Sequence, residues 1–217
     1  MQWKDVSQKE VLRYLGYGRQ EADEAVKNLV SECIGEILNQ CHCKHVYKRF
    51  HCTIEQHSIM FENVVIESKN LSKNLSECEQ MILFAATLGP QPDILLKKYS
   101  RLDMSKAVVM QAAAAAIIEE YCDQCQKQIE KELEQEQLYL RPRFSPGYGD
   151  FQLKHQKDMI LLLDCPRKIG LTLTDSLLLA PSKSVTAVMG ISKKNKHCHI
   201  KGCEACENRN CTFRRDG

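Results

Sequence analysis

A long helical segment, from Asp103 to about Glu136, is the strongest pattern in this 217-residue sequence. Asp103 is a residue type that caps helix N-termini. The run 112–116 is all alanine, which favours helix and lets a neighbouring element approach closely. Further along, apolar residues recur every three or four positions, at Ile118, Cys122, Cys125, Ile129 and Leu133. The pattern indicates a long helix with one buried face.

Shorter apolar segments on both sides of this helix are typical of strands. Residues 81–89 form an apolar run that ends in Gly-Pro, as buried strands often do. Residues 46–50 and 59–66 predict two strands, broken near Gln56. Later strands are predicted at 138–140, 171–173, 177–179 and 185–189.

Three further helices are predicted from capping and periodicity. The first runs from Ser7 to Gly16, where Ser7 and Glu10 form a capping-box pattern, and the second from Gln20 to Gln40. The third is expected to start at Asp150, as its cap, and to end near Leu163. We interpret residues 1–191 as one α+β domain and residues 192–217 as a basic, Cys-rich tail.

Charge and composition exclude several classes of protein. Thirty Lys and Arg residues against 28 Asp and Glu residues give a formal net charge of +2, too balanced for nucleic acid or a membrane surface. The longest apolar run, 112–118, is far shorter than the roughly 20 residues of a membrane-spanning helix. No apolar signal segment follows the N-terminus. We therefore expect a soluble, cytoplasmic protein with no nucleic-acid or membrane partner.

Twelve cysteines are unusual for such a protein, and without a secretory context we expect reduced thiols. Cys33, Cys41, Cys122 and Cys125 lie on helical apolar stripes, where cysteine acts as a small hydrophobe. The grouping of Cys41 and Cys43 with nearby histidines matches no zinc-binding pattern.

Four cysteines in the tail have a different spacing. Cys198, Cys203, Cys206 and Cys211 form the pattern Cys-x4-Cys-x2-Cys-x4-Cys. Four thiolates this close together could bind zinc, or the irons of an iron–sulfur cluster, with tetrahedral sulfur coordination. The alternative is a flexible tail of unligated thiols.

A bend at residues 143–150 is the best candidate ligand site. Two prolines and two glycines lie close together at 142–149, between a predicted strand and a predicted helix. A helix N-terminus offers backbone N–H groups and partial positive charge, and Arg143 offers a planar fork for a carboxylate. This predicts a small anionic or zwitterionic ligand. A structural turn whose arginines face water is the alternative.

The motif Arg143-Phe144-Ser145-Pro146-Gly147-Tyr148 resembles the Arg-x-x-Pro-Gly-Tyr motif of the activation domain of cobalamin-dependent methionine synthase. Residues 168–176, followed by Pro181 and 184–185, are similar to that family's Leu-Thr-Glu-Ser…Pro-Gly-Ala-Ser-Val stretch. The Ala-rich helix with Glu120-Tyr121 resembles the helix before the motif. The resemblance covers roughly residues 80–190.

The resemblance implies a twisted, mainly antiparallel sheet flanked by helices that binds S-adenosylmethionine in a shallow groove. Such a domain presents the methyl group to cobalamin on a partner module, while a flavodoxin- or ferredoxin-like protein donates an electron. By similarity, Arg143 would pair with the ligand carboxylate, Ser145 would contact the ligand through its backbone, and Tyr148 would line the pocket. Pro146 and Gly147 would shape the bend, and Glu120 would lie near the amino or sulfonium group. No catalytic acid or base is required.

Two departures from the family pattern leave a second hypothesis open. A chain of this length has no room for the homocysteine, folate and cobalamin modules, so it would need partner chains. The family's aromatic-rich segment after the Ser-Val strand is replaced here by the Cys-rich tail. The alternative is a non-catalytic, metal-binding interaction protein on the same scaffold. An independent methyltransferase is less favoured, because no glycine fingerprint follows a strand.

Overall fold

Helices and strands are interspersed along the described part of the chain, residues 6–17 and 20–195 of this computed structural model. The helices are α1 (Gln8–Tyr14), α2 (Glu24–Gln40), α3 (Lys69–Asn74), α4 (Gln91–Leu102), α5 (Met104–Glu134), α6 (Gln156–Leu163) and α7 (Cys165–Ile169). The strands are β1 (Lys44–His51), β2 (Thr53–Glu55), β3 (Ser58–Phe61), β4 (Val64–Glu67), β5 (Gln80–Thr87), β6 (Tyr139–Leu140), β7 (Thr172–Leu173), β8 (Leu179–Ala180) and β9 (Ser184–Ser192).

Four of the strands form the main sheet, in the order β1-β5-β9-β6, and every neighbouring pair is antiparallel. Phe84 of β5 lies opposite Tyr47 of β1 and Ala187 of β9. The strands β2, β3 and β4 form a separate antiparallel sheet, and β7 pairs with β8. The predicted α+β class with a mainly antiparallel sheet is confirmed.

Strand β5 is buried along its whole length except for Gln80 at its start. Alternate side chains of a strand point to opposite faces, so this strand contributes to two cores. One face, including Ile82 and Phe84, packs with α2 and α5. The other, including Met81 and Leu83, packs with α6, α7 and β3. Both faces of the sheet are therefore covered.

The long helix predicted from the sequence is α5, which contains 31 residues. The Asp103 carboxylate accepts a hydrogen bond from the backbone N–H of Lys106 at 3.0 Å, so the predicted cap is confirmed. Ala113 and Ala114 are fully buried against the sheet-side core. Cys122 and Cys125 are buried on the same helix, as the apolar stripe predicts.

A buried lysine joins three helices at one end of this core. The Nζ atom of Lys106 lies 2.6 Å from Glu32 and 3.0 Å from Glu36, both on α2. It also lies 4.3 Å from the centre of the Tyr99 ring on α4. The hydrogen bond to Glu32 is the largest factor that raises the pKa of Lys106, so the ammonium stays charged.

Several predicted boundaries differ from those observed, among them the strand predicted at 177–179, which is β8 at Leu179–Ala180 and follows Leu177 with a φ of +62°. Helix α2 begins at Glu24 rather than Gln20, because the Asp23 side chain accepts a hydrogen bond from the Val26 N–H and caps the helix there. The region 46–66 contains four short strands instead of two. The two additional interruptions lie at Cys52, between β1 and β2, and at Glu62, which has a φ of +48° although it is not a glycine. The predicted break at Gln56 is confirmed.

In the part of the chain that the structure describes, none of the helices is both long enough and apolar enough to cross a membrane. Strand β9 ends at Ser192, where the tail is predicted to begin. The predicted metal ligands Cys198, Cys203, Cys206 and Cys211 lie outside the described residues.

Gly190 provides a test of the packing at the end of β9. A Cβ atom there would lie 2.8 Å from the Sγ of Cys78 and 2.9 Å from the Cδ2 of Leu75. We expect Gly190→Ala to lower the free energy of unfolding by about 1–3 kcal/mol through overpacking. Urea denaturation followed by circular dichroism measures this change.

Gly35 is the matched control, because it lies in α2 and a Cβ atom there meets nothing within 4 Å. Gly35→Ala is expected to raise stability by up to about 1 kcal/mol, since alanine favours helix more than glycine does. Equal effects of the two substitutions would contradict the close approach at Gly190.

Candidate functional site

The candidate loop is held against the free edge of β9. After β6 the chain continues along β9, and the Arg141 N–H donates to the Gly190 carbonyl at 2.8 Å. Phe144 and Val188 then exchange both backbone hydrogen bonds, at 2.9 and 2.8 Å. Such a doubly bonded pair fixes the backbone of an antiparallel ladder. Arg143 and Ser145 therefore leave the sheet from defined positions on either side of Phe144.

The Pro-Gly bend is a tight turn, as the sequence predicts. The Tyr148 N–H donates to the Ser145 carbonyl at 3.2 Å, and Gly147 has a φ of +94°. Proline at the second position and a positive-φ glycine at the third are the features of a type II turn. The Gly147 N–H also donates to the Phe151 carbonyl at 2.7 Å. Pro146 is buried, whereas Tyr148 is 67% exposed and faces outward.

Arg143 connects this loop to the long helix. Its guanidinium donates to Asp123 at 2.7 Å, to Gln126 at 3.0 Å and to Glu119 at 3.3 Å. The Arg143 side chain is 15% exposed, so it is neither sealed in the core nor freely solvated. Burial lowers the pKa of this guanidinium, but the groups around it, including both carboxylates, raise it overall, and it stays charged.

The residues of α5 that contact Arg143 are not among the predicted site residues. Glu119, Asp123 and Gln126 follow one another at intervals of four and three residues, so they lie on one face of the helix. That spacing is visible in the sequence, but nothing in it indicates that the face meets residue 143. The predicted ligand residue Glu120 lies on the same turn and is half-buried, and it accepts a hydrogen bond from Gln124 at 3.1 Å.

The prediction that Asp150 caps the following helix is wrong. That helix, α6, begins at Gln156 after a short 3₁₀ turn at Leu153–His155. Asp150 instead accepts hydrogen bonds at the start of α3, from the Ser68 hydroxyl at 2.6 Å and the Lys69 N–H at 2.7 Å. A helix N-terminus directly after the bend was predicted, but the backbone N–H groups that open α6 begin several residues later, at Gln156.

Beyond the Phe144–Val188 pair, the edge of β9 continues without a partner strand among the described residues. The alternation of an antiparallel ladder directs the backbone N–H and C=O of Thr186 to this edge, as it does for Val188. The Thr186 hydroxyl donates to Gln156 at 3.2 Å, and the Gln156 amide donates to the Leu177 carbonyl at 3.0 Å. Gln156 therefore connects Thr186 of β9 to the segment around Leu177.

A shallow cavity of about 280 Å³ lies elsewhere, beside α6 and α7. Its lining residues are Lys157, Ile160, Leu161, Asp164, Pro166 and Leu173. None of them belongs to the bend or contacts Arg143. Lys157 and Asp164 place charge at this cavity too, but the planar guanidinium that suits a carboxylate lies at the bend, so we place the candidate site there.

Comparison with protein families gives a match over most of the chain. The sequence model of the family described as "Vitamin B12 dependent methionine synthase, activation domain" matches residues 55–214. This range includes the bend at 143–148 and all four tail cysteines. A search of the curated proteins finds no match.

Comparison with solved structures finds 13 matching chains. One is described as "Crystal Structure of the MetH Reactivation Domain bound to AdoHcy". It has 15% sequence identity to this chain and a TM-score of 0.58, and the match covers 85% of this chain and 76% of that one. At this identity, the similarity shows a shared fold.

The role of Asp150 can be tested through the pH dependence of its contribution to the free energy of unfolding. Hydrogen bonds from the Ser68 hydroxyl and from the backbone N–H groups of Asn70 and Lys69 hold the pKa of Asp150 below its ordinary value of 3.8. A carboxyl whose pKa is lowered by folding stabilises the protein above its ordinary pKa, and this contribution is lost as the pH falls through the lowered value. We expect Asp150→Asn, which replaces one of the two accepting oxygens by an NH₂ donor and removes the charge, to lower the free energy of unfolding at neutral pH by about 1 kcal/mol.

The difference between wild type and Asp150→Asn should shrink as the pH is lowered, in urea unfolding measured at several pH values. Asp175→Asn changes an exposed carboxylate in the loop between β7 and β8 and is the control. A difference that stayed constant down to acid pH would show that the Asp150 carboxylate does not cap α3.

Proposed function

Because this chain belongs to the family of the activation domain of vitamin B12 dependent methionine synthase, we propose that it binds S-adenosylmethionine at the Arg143 bend. We further propose that it supports the reductive methylation of a cobalamin held by a partner methionine synthase module. The observation that carries the proposal is the Arg143 guanidinium, held at the edge of β9 beside a cluster of carboxylates.

Arg143 has hydrogen-bonding capacity left for a ligand carboxylate. A guanidinium carries five N–H groups. Within the described part of the chain, three of them are used, by Glu119, Asp123 and Gln126. The two that are left can donate to a carboxylate, and charge-assisted bonds of this kind are stronger than neutral ones. The partial exposure of the side chain gives a ligand access to it.

The charge around Arg143 also suits this ligand. Glu119 and Asp123 both contact the guanidinium, so the contact group carries one positive and two negative charges. Glu120 adds a third carboxylate on the same turn of α5. S-adenosylmethionine carries an ammonium and a sulfonium as well as its carboxylate. An excess of negative charge beside one cation therefore favours it over a simple anion.

The fixed turn at Ser145–Tyr148 supports a positioning role. Its conformation is set by proline, by a positive-φ glycine and by hydrogen bonds, so its backbone groups need no reordering when a ligand binds. Tyr148 projects from this turn with most of its ring exposed, where it can cover a bound ligand. A solved structure of similar fold is described as bound to AdoHcy, the product left when S-adenosylmethionine loses its methyl group.

In the proposed chemistry the chain needs only to bind and orient S-adenosylmethionine, because no proton moves when a sulfonium gives up its methyl group. A cobalamin held by the partner module would supply the nucleophile after reduction by an external donor. A flavodoxin- or ferredoxin-like protein is the proposed donor. Arg143 and the turn would hold the amino-acid end of the ligand so that the methyl group faces the partner.

Substitution of Arg143 tests the ligand site. We expect Arg143→Ala to weaken binding of S-adenosylmethionine by about 10- to 100-fold, the range for a lost charge-assisted hydrogen bond. Isothermal titration calorimetry on the full chain measures the affinity. Arg143→Lys retains the charge but loses the planar fork, so it should also weaken binding. Arg167→Ala, at a side chain that is 78% exposed, is the matched control.

Unfolding curves separate a lost contact from a lost fold, since Arg143→Ala leaves two carboxylates without their cation. A folded wild-type chain that does not bind S-adenosylmethionine would refute the proposed ligand. If the ligand binds, reactivation of an oxidised cobalamin-dependent methionine synthase, with a low-potential reductant, tests the partner role. Addition of the chain should raise the recovered activity, and Arg143→Ala should remove that gain.

We propose in addition that the tail binds zinc or an iron–sulfur cluster. The four-cysteine spacing supports this. A metal-binding chain without affinity for S-adenosylmethionine would favour the alternative function, a non-catalytic interaction protein on the same scaffold.

Elemental analysis of the full chain purified without oxygen is expected to find about one zinc or one cluster for each chain. Visible absorption distinguishes the two, because zinc thiolates are colourless and iron–sulfur clusters are not. Cys206→Ser should lower the metal content, whereas Cys33→Ala, in the core, should leave it unchanged. A metal-free chain after reconstitution with each metal would contradict this proposal.

A further inference from the structure

Two cysteines face each other where α2 passes into β1. Cys41 is the C-terminal cap of α2, and Cys43 directly precedes β1. Their Sγ atoms lie 3.5 Å apart, with the Cys43 thiol donating to Cys41. In extended backbone, residues two apart point to the same side, so the pairing follows from the local chain direction.

The backbone on both sides of this pair is fixed. The Cys41 N–H donates to the Ile37 carbonyl at 2.8 Å, and the His42 N–H donates to the Leu88 carbonyl at 3.0 Å. Lys44, the next residue after Cys43, pairs with Thr87 in the main sheet. The two thiols are therefore held together by secondary structure rather than by chance contact of mobile side chains.

These two cysteines are also the accessible ones among the eight in the described residues. Cys41 and Cys43 are half-buried, whereas the other six are buried: Cys33, Cys52, Cys78, Cys122, Cys125 and Cys165. A thiol can react with a reagent in solution only if the reagent reaches it. Exposure thus separates this pair from cysteines that serve as small core residues.

The contact between the thiols makes their acidities unequal. The hydrogen bond from Cys43 lowers the pKa of Cys41 to about 7, and the same contact raises the pKa of Cys43. Burial, in contrast, raises the pKa of Cys33 and Cys125 to about 11. The thiolate is the nucleophile in thiol–disulfide exchange, and a thiol with a pKa near the ambient pH attacks best. Cys41, with a pKa of about 7, meets both conditions near neutral pH.

We propose that Cys41 and Cys43 form a dithiol site that reacts with low-molecular-weight disulfides and closes to an intramolecular disulfide. This site is separate from the Arg143 bend, and its chemistry does not depend on the binding of S-adenosylmethionine.

The reaction has two exchange steps. The Cys41 thiolate attacks one sulfur of a disulfide RSSR, a protein–SR bond forms, and the S–S bond of the reagent breaks to release RS⁻. Cys43 then loses its proton to solvent and attacks the Cys41 sulfur, so that the second RS⁻ leaves. Both released thiolates are protonated from solvent. The two protein thiols are oxidised by two electrons, and one RSSR is reduced to two RSH.

Oxidised glutathione is the probe for this site, used on the reduced full chain at neutral pH. After brief exposure, remaining thiols are alkylated and the chain is digested and mapped by mass spectrometry. We expect the peptide that contains Cys41 and Cys43 to lose two hydrogens and to escape alkylation, while the six buried cysteines are alkylated after denaturation. Peptide mapping reads the tail cysteines separately, so their reactions do not affect the result.

Variants assign the order of attack. Cys43→Ser should stop at a stable mixed disulfide with glutathione on Cys41, because the second thiol is missing. Cys41→Ser should slow the reaction of this peptide by at least about 10-fold, because burial still raises the pKa of the remaining thiol, Cys43, when the contact with Cys41 is gone. Cys125→Ser, at a buried position near the pair, is the control and should react as wild type does.

Three results would overturn the proposal. The first is a peptide of Cys41 and Cys43 that reacts no faster than the peptides of buried cysteines. The second is an equal rate for Cys41→Ser and wild type, and the third is a disulfide that links Cys43 to Cys125 instead of Cys41. Because mapping of the unaltered chain decides the first and third points, they do not depend on whether a variant folds.

Discussion

The burial of β5 on both faces is the constraint on which the rest of the structure depends. A strand with apolar side chains on both faces needs cover on each side, and α5 with α2 supplies one cover while α6, α7 and β3 supply the other. The neighbours β1 and β9 then take both edges of β5. Free backbone groups of this sheet can lie only at its outer edges. The outer edge of β9, where β6 and Phe144 pair for only part of its length, is where the candidate site is found.

Arg143 couples the charge of this site to its geometry. A partly buried guanidinium is costly unless carboxylates or other acceptors compensate for its lost hydration. Glu119 and Asp123 provide that compensation and at the same time fix the loop to α5. The two acids exceed the charge of the single cation, so they also leave a negative surplus beside the remaining guanidinium donors. The same contacts that stabilise the loop therefore make the site suitable for a ligand with both a carboxylate and a cationic centre.

Signals from neighbouring residues predict some parts of this structure and not others. Asp103 is an example of the first kind and Asp150 of the second. Asp103 caps the helix that follows it, and its partner is three residues away, so a rule based on neighbouring residues finds it. Asp150 satisfies the same rule but binds N–H groups about 80 residues earlier in the chain, at the start of α3. Only the packing of the loop on that helix decides this. Likewise, the sharp bend could be predicted from Pro146 and Gly147, but which face of α5 meets Arg143 depends on how the helix packs on the sheet.

The cysteines show that one residue type can have different chemistry within one fold. Loss of hydration in the core disfavours the thiolate, so burial keeps Cys33 and Cys125 protonated and unreactive, and they act as small apolar side chains. Cys41 has the opposite balance, because a neighbouring thiol donates a hydrogen bond to its sulfur and offsets the effect of burial. The count of twelve cysteines cannot reveal this difference, and neither can the helical stripe on which Cys41 was placed. It arises because α2 ends at Cys41, so that the backbone becomes extended and directs Cys43 to the same side.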